Sequence, residues 1–255
     1  MSAVLLAFDT STETLSVALQ WPGGRQAWDG PGGALSSSAL LPRIRALMDE
    51  AGIGWSDVSA IAFGRGPGAF TGLRTACAVA QGLAFGAGLP VLPIDSLMIV
   101  AEDARRQVAS VSPSRLDVAV AMDARMGQVY AARYLWDADA CGQAAGWRTR
   151  VGPMLCDPPE LPALWSPADG SAGPPDLMAG SGVALLGEDG VEGDGWGRVP
   201  SQPAGAGRAV ALLQLADQAW REGRAVPSSQ ALPLYLRDKV ALTSAERTAL
   251  RDGAR

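Results

Sequence analysis

Apolar and polar positions change period several times along the first hundred residues, and each change marks an element. Val4-Leu5-Leu6-Ala7-Phe8 is a short apolar run that stops at Asp9-Thr10-Ser11-Thr12. Leu15, Val17 and Leu19 then alternate with polar or small residues, the period of a half-buried strand. Pro22-Gly23-Gly24 is a turn, and residues 25–28 form a third strand. Gly and Ser dominate 32–38, where a serine suits a helix cap. Leu40, Ile44, Leu47 and Met48 return at helical spacing, and Gly52 and Gly54 end that helix. A strand is predicted over 58–63, a second helix from about Phe70, a strand over 90–94 and a third helix over 96–108. The order is β-β-β-α-β-α-β-α.

The pattern then restarts. Val118-Ala119-Val120-Ala121-Met122 is a strand that ends in Asp123, and alternation resumes from Val129 to Leu135. Both halves read as strand, Asp at the turn, returning strand. An internal duplication explains this, as does the general likeness of hairpins; the matched order favours duplication. Residues 157–206 are rich in Pro, Gly and Asp. The acidic run from Gly187 to Asp194 lacks EF-hand spacing and reads as a solvated loop. A helix is predicted over 209–220, an extended segment over 232–237 and a polar end from Thr243.

Composition narrows the chemistry. At 255 residues, 48% hydrophobic and 18% charged, the chain can bury a sizeable core. Its longest apolar stretch, 75–92, is interrupted by Gln81, Gly82, Gly86, Gly88 and Pro90, and so reads as a buried helix running into a strand rather than a membrane span. No signal peptide is visible, and the expected compartment is the cytoplasm. A net charge of −5 makes the chain a poor primary binder of tRNA or DNA. Three cysteines without CxxC spacing fit buried thiols in a reducing compartment. The chain has no histidine. That removes Ser-His-Asp and Cys-His catalysis, the HExxH zinc site and any imidazole base.

Four features remain as candidate chemistry. Gly64-Arg65-Gly66-Pro67-Gly68-Ala69-Phe70-Thr71-Gly72-Leu73-Arg74 joins a strand to a helix, the shape of a phosphate cradle. A Walker loop needs Lys after its last Gly, yet Leu73 stands there and Lys239 is the only lysine. The first-half turn offers Asp9, Thr10, Ser11 and Thr12. In actin-like ATPases and sugar kinases an Asp at this turn helps hold the metal near the phosphates; equally, such residues bond their own backbone at strand ends. Asp123 and Arg125 pose the same choice, as a carboxylate facing Asp9 across a cleft or as a local ion pair. Finally, Gly72, Ala76, Ala80, Ala84 and Gly88 make a small-residue stripe, and Phe70, Leu73, Cys77 and Phe85 add apolar surface. A helix apolar nearly all round is buried by its own fold or by a partner.

Together, Ala7-Phe8-Asp9-Thr10-Ser11-Thr12, the glycine motif, Ala80-Gln81-Gly82-Leu83-Ala84, Met122-Asp123-Ala124-Arg125-Met126-Gly127-Gln128-Val129-Tyr130 and Tyr235-Leu236-Arg237 resemble the TsaB, or YeaZ-type, family. The resemblance implies an α/β, actin-like two-lobed fold with duplicated β-β-β-α-β-α-β-α halves. Residues 1–110 would form the first lobe, with helix 209–222 packed on it, 111–240 a degenerate second lobe, and 241–255 a tail. It implies a non-catalytic subunit for making threonylcarbamoyladenosine beside the tRNA anticodon, without cofactor or metal. The implied partners are a catalytic TsaD paralogue, the small ATPase TsaE and, for the chain alone, a second copy, with tRNA met only through the complex. The pairing surface would be the first two helices: Leu40, Ile44, Leu47, Met48, Phe70, Leu73, Ala76, Cys77, Ala80 and Ala84. Asp9, Thr10, Ser11 and Asp123 would be a vestigial nucleotide site. Family members often carry a His where this chain has Ser36-Ser37-Ser38. The competing function is an active actin-fold ATPase or small-molecule kinase using Asp9 and Asp123. A metalloprotease has no histidine ligands to work with.

Overall fold

The computed structural model describes residues 3–108, 114–138, 146–165, 173–186, 201–202 and 207–237. They form two five-stranded mixed sheets. The first is built from β1 (Leu5–Asp9), β2 (Thr14–Trp21), β3 (Gly24–Pro31), β4 (Ala60–Gly66) and β5 (Val91–Asp95), in the order β3-β2-β1-β4-β5. The second uses β6 (Arg115–Asp123), β7 (Val129–Asp137), β8 (Gly146–Cys156), β9 (Leu177–Ala179) and β10 (Ser201–Gln202). Read from the matching edge, its order is β8-β7-β6-β9-β10. In each sheet the first three strands pair antiparallel and the last two join in parallel. Strand order and sense therefore repeat, and the fold is the two-lobed, actin-like α/β arrangement.

Three helices follow β3, β4 and β5: α1 (Ser36–Ala51), α2 (Phe70–Ala87) and α3 (Ser96–Gln107). In the second half α4 (Leu161–Trp165) follows β8, and α5 (Arg208–Arg221) follows β10. α1 ends where Gly52 takes φ 66°, and α2 where Gly88 takes φ 67°, a left-handed turn that glycine adopts without a Cβ clash. The serine cap expected before α1 does not form. Ser36–Ser38 lie inside its first turn, and the Ser38 hydroxyl donates to the Leu35 carbonyl.

Both faces of the first sheet are covered, which explains why β1 is apolar at every position up to Asp9. Leu6, Phe8, Val17 and Leu19 meet α1 and α2 on one face. On the other, Leu5, Ala7, Ala18 and Ala62 meet Ala209, Leu212, Leu213 and Ala216 of α5. α3, which leaves the first sheet, packs Leu97, Val100, Ala101 and Ala104 against Val118, Val120 and Ala132 of the second. Each half thus gives its last helix to the other half's sheet. α3 and α5 also pack on each other. The backbone then returns from α5 along α2, pairing Val226 with Val91 and Leu234 with Arg65.

Inside the second lobe, Arg133 is buried with Asp117. Its Nε donates to Asp117 Oδ1 at 2.7 Å and Nη2 to Oδ2 at 3.1 Å. The Trp165 carbonyl accepts from Nη1 and the Gly173 carbonyl from Nη2. This one side chain ties β7 to α4 and to the approach to β9, a segment with little apolar patterning of its own. Asp117 keeps a second cation, Arg150, whose Nε lies 3.0 Å from Oδ2, so removing Arg133 leaves two carbonyls and one carboxylate oxygen short of a donor rather than a bare charge. Arg133→Ala is therefore expected to cost about 2–3 kcal/mol in urea unfolding. A loss under about 1 kcal/mol would place that segment's stability elsewhere.

Candidate functional site

The glycine loop and the Asp9 turn form one packed unit. A Cβ on Gly64 would strike the Asp9 carboxylate, one on Gly68 the Ser11 carbonyl oxygen, and one on Gly72 the Thr10 carbonyl oxygen. Three glycines four residues apart thus let β4 and the start of α2 press onto the turn after β1. Two hydrogen bonds fix the approach: Thr10 Oγ1 donates to the Gly72 carbonyl at 2.7 Å, and the Ala69 N–H to the Ser11 carbonyl at 2.8 Å. The loop serves close backbone approach, a role its shape alone did not distinguish from a phosphate cradle.

Asp9 is sealed in this unit, at 1% exposure. Its Oδ1 accepts the Ser11 N–H at 2.9 Å, and its Oδ2 the Ser11 hydroxyl at 2.8 Å. Arg208, the first residue of α5, lies 3.4 Å from Oδ2 and donates to Thr12 Oγ1 at 2.9 Å. Sequence reading missed Arg208, because nothing in a C-terminal helix announces contact with a residue 199 positions earlier. Asp123 repeats the local turn: its Oδ1 accepts the Arg125 N–H at 2.7 Å, two residues on, as Asp9 does for Ser11.

Between the two turns lies a cleft of about 480 Å³, within the range of small-molecule sites. Ser11, Thr12, Phe70, Asp123, Tyr130 and Arg208 are among its walls; Asp9 and Thr10 are not. The two carboxylates therefore do not form a facing pair: Asp123 borders the cleft, and Asp9 turns inward. Arg125 spans the rim to Glu13, 3.1 Å away. Arg237, from the returning backbone, donates to the Ala124 carbonyl at 3.1 Å. Among the described residues no group of three or more His, Cys, Asp or Glu side chains could hold a metal ion. Burial pushes the Cys77 thiol up to about 12, and burial with neighbouring Glu160 and Asp157 pushes Cys156 up to about 11. Neither is a thiolate nucleophile near neutrality.

Comparison with known proteins places this geometry. The TsaB protein of Haemophilus influenzae, named for tRNA threonylcarbamoyladenosine biosynthesis, is 33% identical over 238 residues, covering 92% of this chain and 94% of that one. Its Escherichia coli counterpart is also 33% identical, over 93% and 96%. The chain belongs to the TsaB family. The solved YeaZ structure from Pseudomonas aeruginosa is 38% identical, with a TM-score of 0.74, covering 92% of this chain and all of that one. A second Pseudomonas aeruginosa structure, titled as similar to peptidase YEAZ, gives 0.76 at the same identity and coverage. The family model described as TsaD, tRNA N6-adenosine threonylcarbamoyltransferase, matches residues 34–150.

In this TsaB-family chain the first two helices need a correction at the level of side chains. Leu40, Ile44, Leu47, Met48, Leu73, Ala76, Cys77, Ala80 and Ala84 are all buried within the chain. All but Leu73 belong to the core cluster of the first sheet. The stripe from Gly72 to Ala84 faces the chain's own interior, so these side chains offer no surface to a partner. Phe70 is half-buried and packs on Tyr235, with ring centroids 5.3 Å apart, while Arg74 lies over the Phe70 ring and donates to the Tyr235 hydroxyl at 3.2 Å. The small and apolar residues that α2 exposes include Ala78, Gly82, Phe85 and Gly86, beside the polar Thr71, Arg74 and Gln81, and Leu41 is exposed on α1. Ala78, Gly82 and Gly86 form a second small-residue stripe, offset by two residues from the first. Only burial tells the two apart.

Two outcomes check the packed unit. Gly72→Ala is expected to lose about 1–3 kcal/mol by urea unfolding, whereas Gly82→Ala, whose added Cβ meets open space, is expected to be neutral or slightly stabilising. Iodoacetamide at pH 8, followed by peptide mapping of the native chain, should leave Cys77 and Cys156 unmodified. Rapid labelling of either would contradict its raised thiol.

Proposed function

We propose that this chain is a non-catalytic scaffold subunit for threonylcarbamoylation of adenosine next to the tRNA anticodon. It holds and activates a catalytic paralogue of the TsaD type. Family membership connects the chain to tRNA threonylcarbamoyladenosine biosynthesis. The observation that carries the scaffold reading is the outer face of α2. Phe85 is 80% exposed there, and beside it Gly82 and Gly86 have open space where a Cβ would stand. A protruding aromatic next to a groove without side chains suits an approaching helix: the groove permits close contact, and the ring supplies a buried anchor.

Chemistry points the same way. With no histidine, one lysine and an Asp9 carboxylate bonded inside the fold, the chain brings no complete catalytic set to the cleft. In this reading a TsaE-type ATPase joins the pair, the isolated chain self-associates through the same α1–α2 face, and tRNA is met only through the complex. The setting is cytoplasmic. Among the described residues no helix is long and apolar enough to cross a membrane.

The test is copurification with the TsaD paralogue, with Phe85→Glu as the probe. Pairing should weaken by roughly thirtyfold or more, while the melting temperature stays unchanged. Undiminished pairing in Phe85→Glu would remove α2's outer face from the interface. Asp9-dependent phosphate release from ATP by the wild-type chain alone would favour the ATPase reading instead.

A further inference from the structure

In the actin-like ATPases and sugar kinases that the Asp9 turn resembles, an Asp at this turn helps hold the metal, so Asp9 is where such an ion would be expected. The residues present do not fit one. Asp9 Oδ1 is bonded by the Ser11 N–H, and Oδ2 by the Ser11 hydroxyl and by Arg208 Nη2. The remaining side of the carboxylate is walled by Gly64, where even a methyl group would collide with it. Arg208 is itself 2% exposed, and its Nε is buried without a partner. Helix α5 delivers this side chain, and the start of α5 is itself pinned. The Ala209 N–H donates to both oxygens of Asp29, at 3.0 and 3.3 Å, and the Ser16 hydroxyl holds Asp29 Oδ1 at 2.6 Å. A guanidinium with one buried nitrogen unbonded is a poor choice for packing alone. It makes sense as a charge placed to answer another buried charge.

We propose that Arg208 is a built-in counter-cation, standing where a divalent metal would sit at the Asp9 turn. The cleft is thereby closed to a metal–nucleotide complex. Helix α5 is joined to the first sheet by the protein's own charge, so that joint needs neither metal nor nucleotide. This goes beyond the scaffold reading and does not depend on any partner.

The experiment uses the full chain by itself. Mn²⁺ binding is followed by electron paramagnetic resonance, and thermal melting is recorded with and without Mn²⁺, Mg²⁺–ATP and methylguanidinium. The wild type should leave the free Mn²⁺ signal unchanged, and its melting temperature should not respond to Mg²⁺–ATP. Arg208→Ala should melt lower by about 10 °C, and millimolar methylguanidinium or Mn²⁺ should recover most of that loss. Adding Asp9→Asn to Arg208→Ala should abolish the recovery, and Arg208→Lys should fall between wild type and Arg208→Ala. An Arg208→Ala chain that melts like wild type, or that folds but responds to neither cation, overturns the proposal. Should Arg208→Ala not fold, the decision rests on the wild type against Asp9→Asn. Mn²⁺ binding or a Mg²⁺–ATP shift in the wild type that Asp9→Asn removes would refute it, and the absence of both would uphold it. Pairing with a paralogue enters none of these readouts, so failure here leaves the scaffold reading intact.

Discussion

The approach of β4 and α2 to the turn after β1 governs the rest of the molecule. Backbone meets backbone there: Thr10 and Ser11 lie against Gly68 and Gly72 with no room for a Cβ between them. Contact this close can only be made by glycine, and it fixes three things at once. It sets where α2 starts, it leaves the Asp9 carboxylate without access from the Gly64 side, and it fills one wall of the interlobe cleft with backbone. A strand-to-helix turn of this composition looks like an anion cradle because both uses require a bare backbone. What separates them is the nature of the neighbour. In this chain the neighbour is the protein itself.

Long-range exchange holds the two halves together. α3 covers the second sheet, α5 covers the first, and the two helices meet between the lobes. Neither half can bury its sheet alone, because each lacks the helix that the other supplies. The polar contacts follow the same plan. Arg208 comes from the second half to Asp9 in the first, Arg125 reaches Glu13, and Gln20 Nε2 donates to Asp217 of α5 at 3.2 Å. These contacts between the halves join residues far apart in sequence.

That placement explains what the sequence conveyed. Elements with a strong period were legible: α1, α2, α3, β1 and the β6–β7 hairpin lie within a few residues of where the alternation of apolar positions predicts them, although α1 begins earlier, at Ser36. The duplication was legible too, because Asp9 and Asp123 close similar turns. β8 was not: as an edge strand of mixed burial it has no clean alternation. β9 is three buried residues, too short to show a period. The acidic run from Gly187, Cys141 and the end from Thr243 lie outside the described residues. At the site, Ser11 and Asp123 border the cleft, while Asp9 and Thr10 are drawn into the core. Their partner Arg208 carries no local signature. Periodicity identified α2 as a packing helix, but not which of its two small-residue stripes faced inward.

Those two stripes have different physical consequences. On the sheet side, Ala76, Ala80 and Ala84 place the helix axis near the strands, since only a methyl group separates them. The Thr10–Gly72 and Ala69–Ser11 hydrogen bonds then fix the helix start to the Asp9 turn. An outer face mounted in this way has little freedom to tilt, so Phe85 and its flanking glycines are presented in a set position. Preorganised surfaces lose less entropy on association than mobile ones. The same glycine contact that closes the Gly64 side of Asp9 therefore also holds α2 rigidly on its sheet.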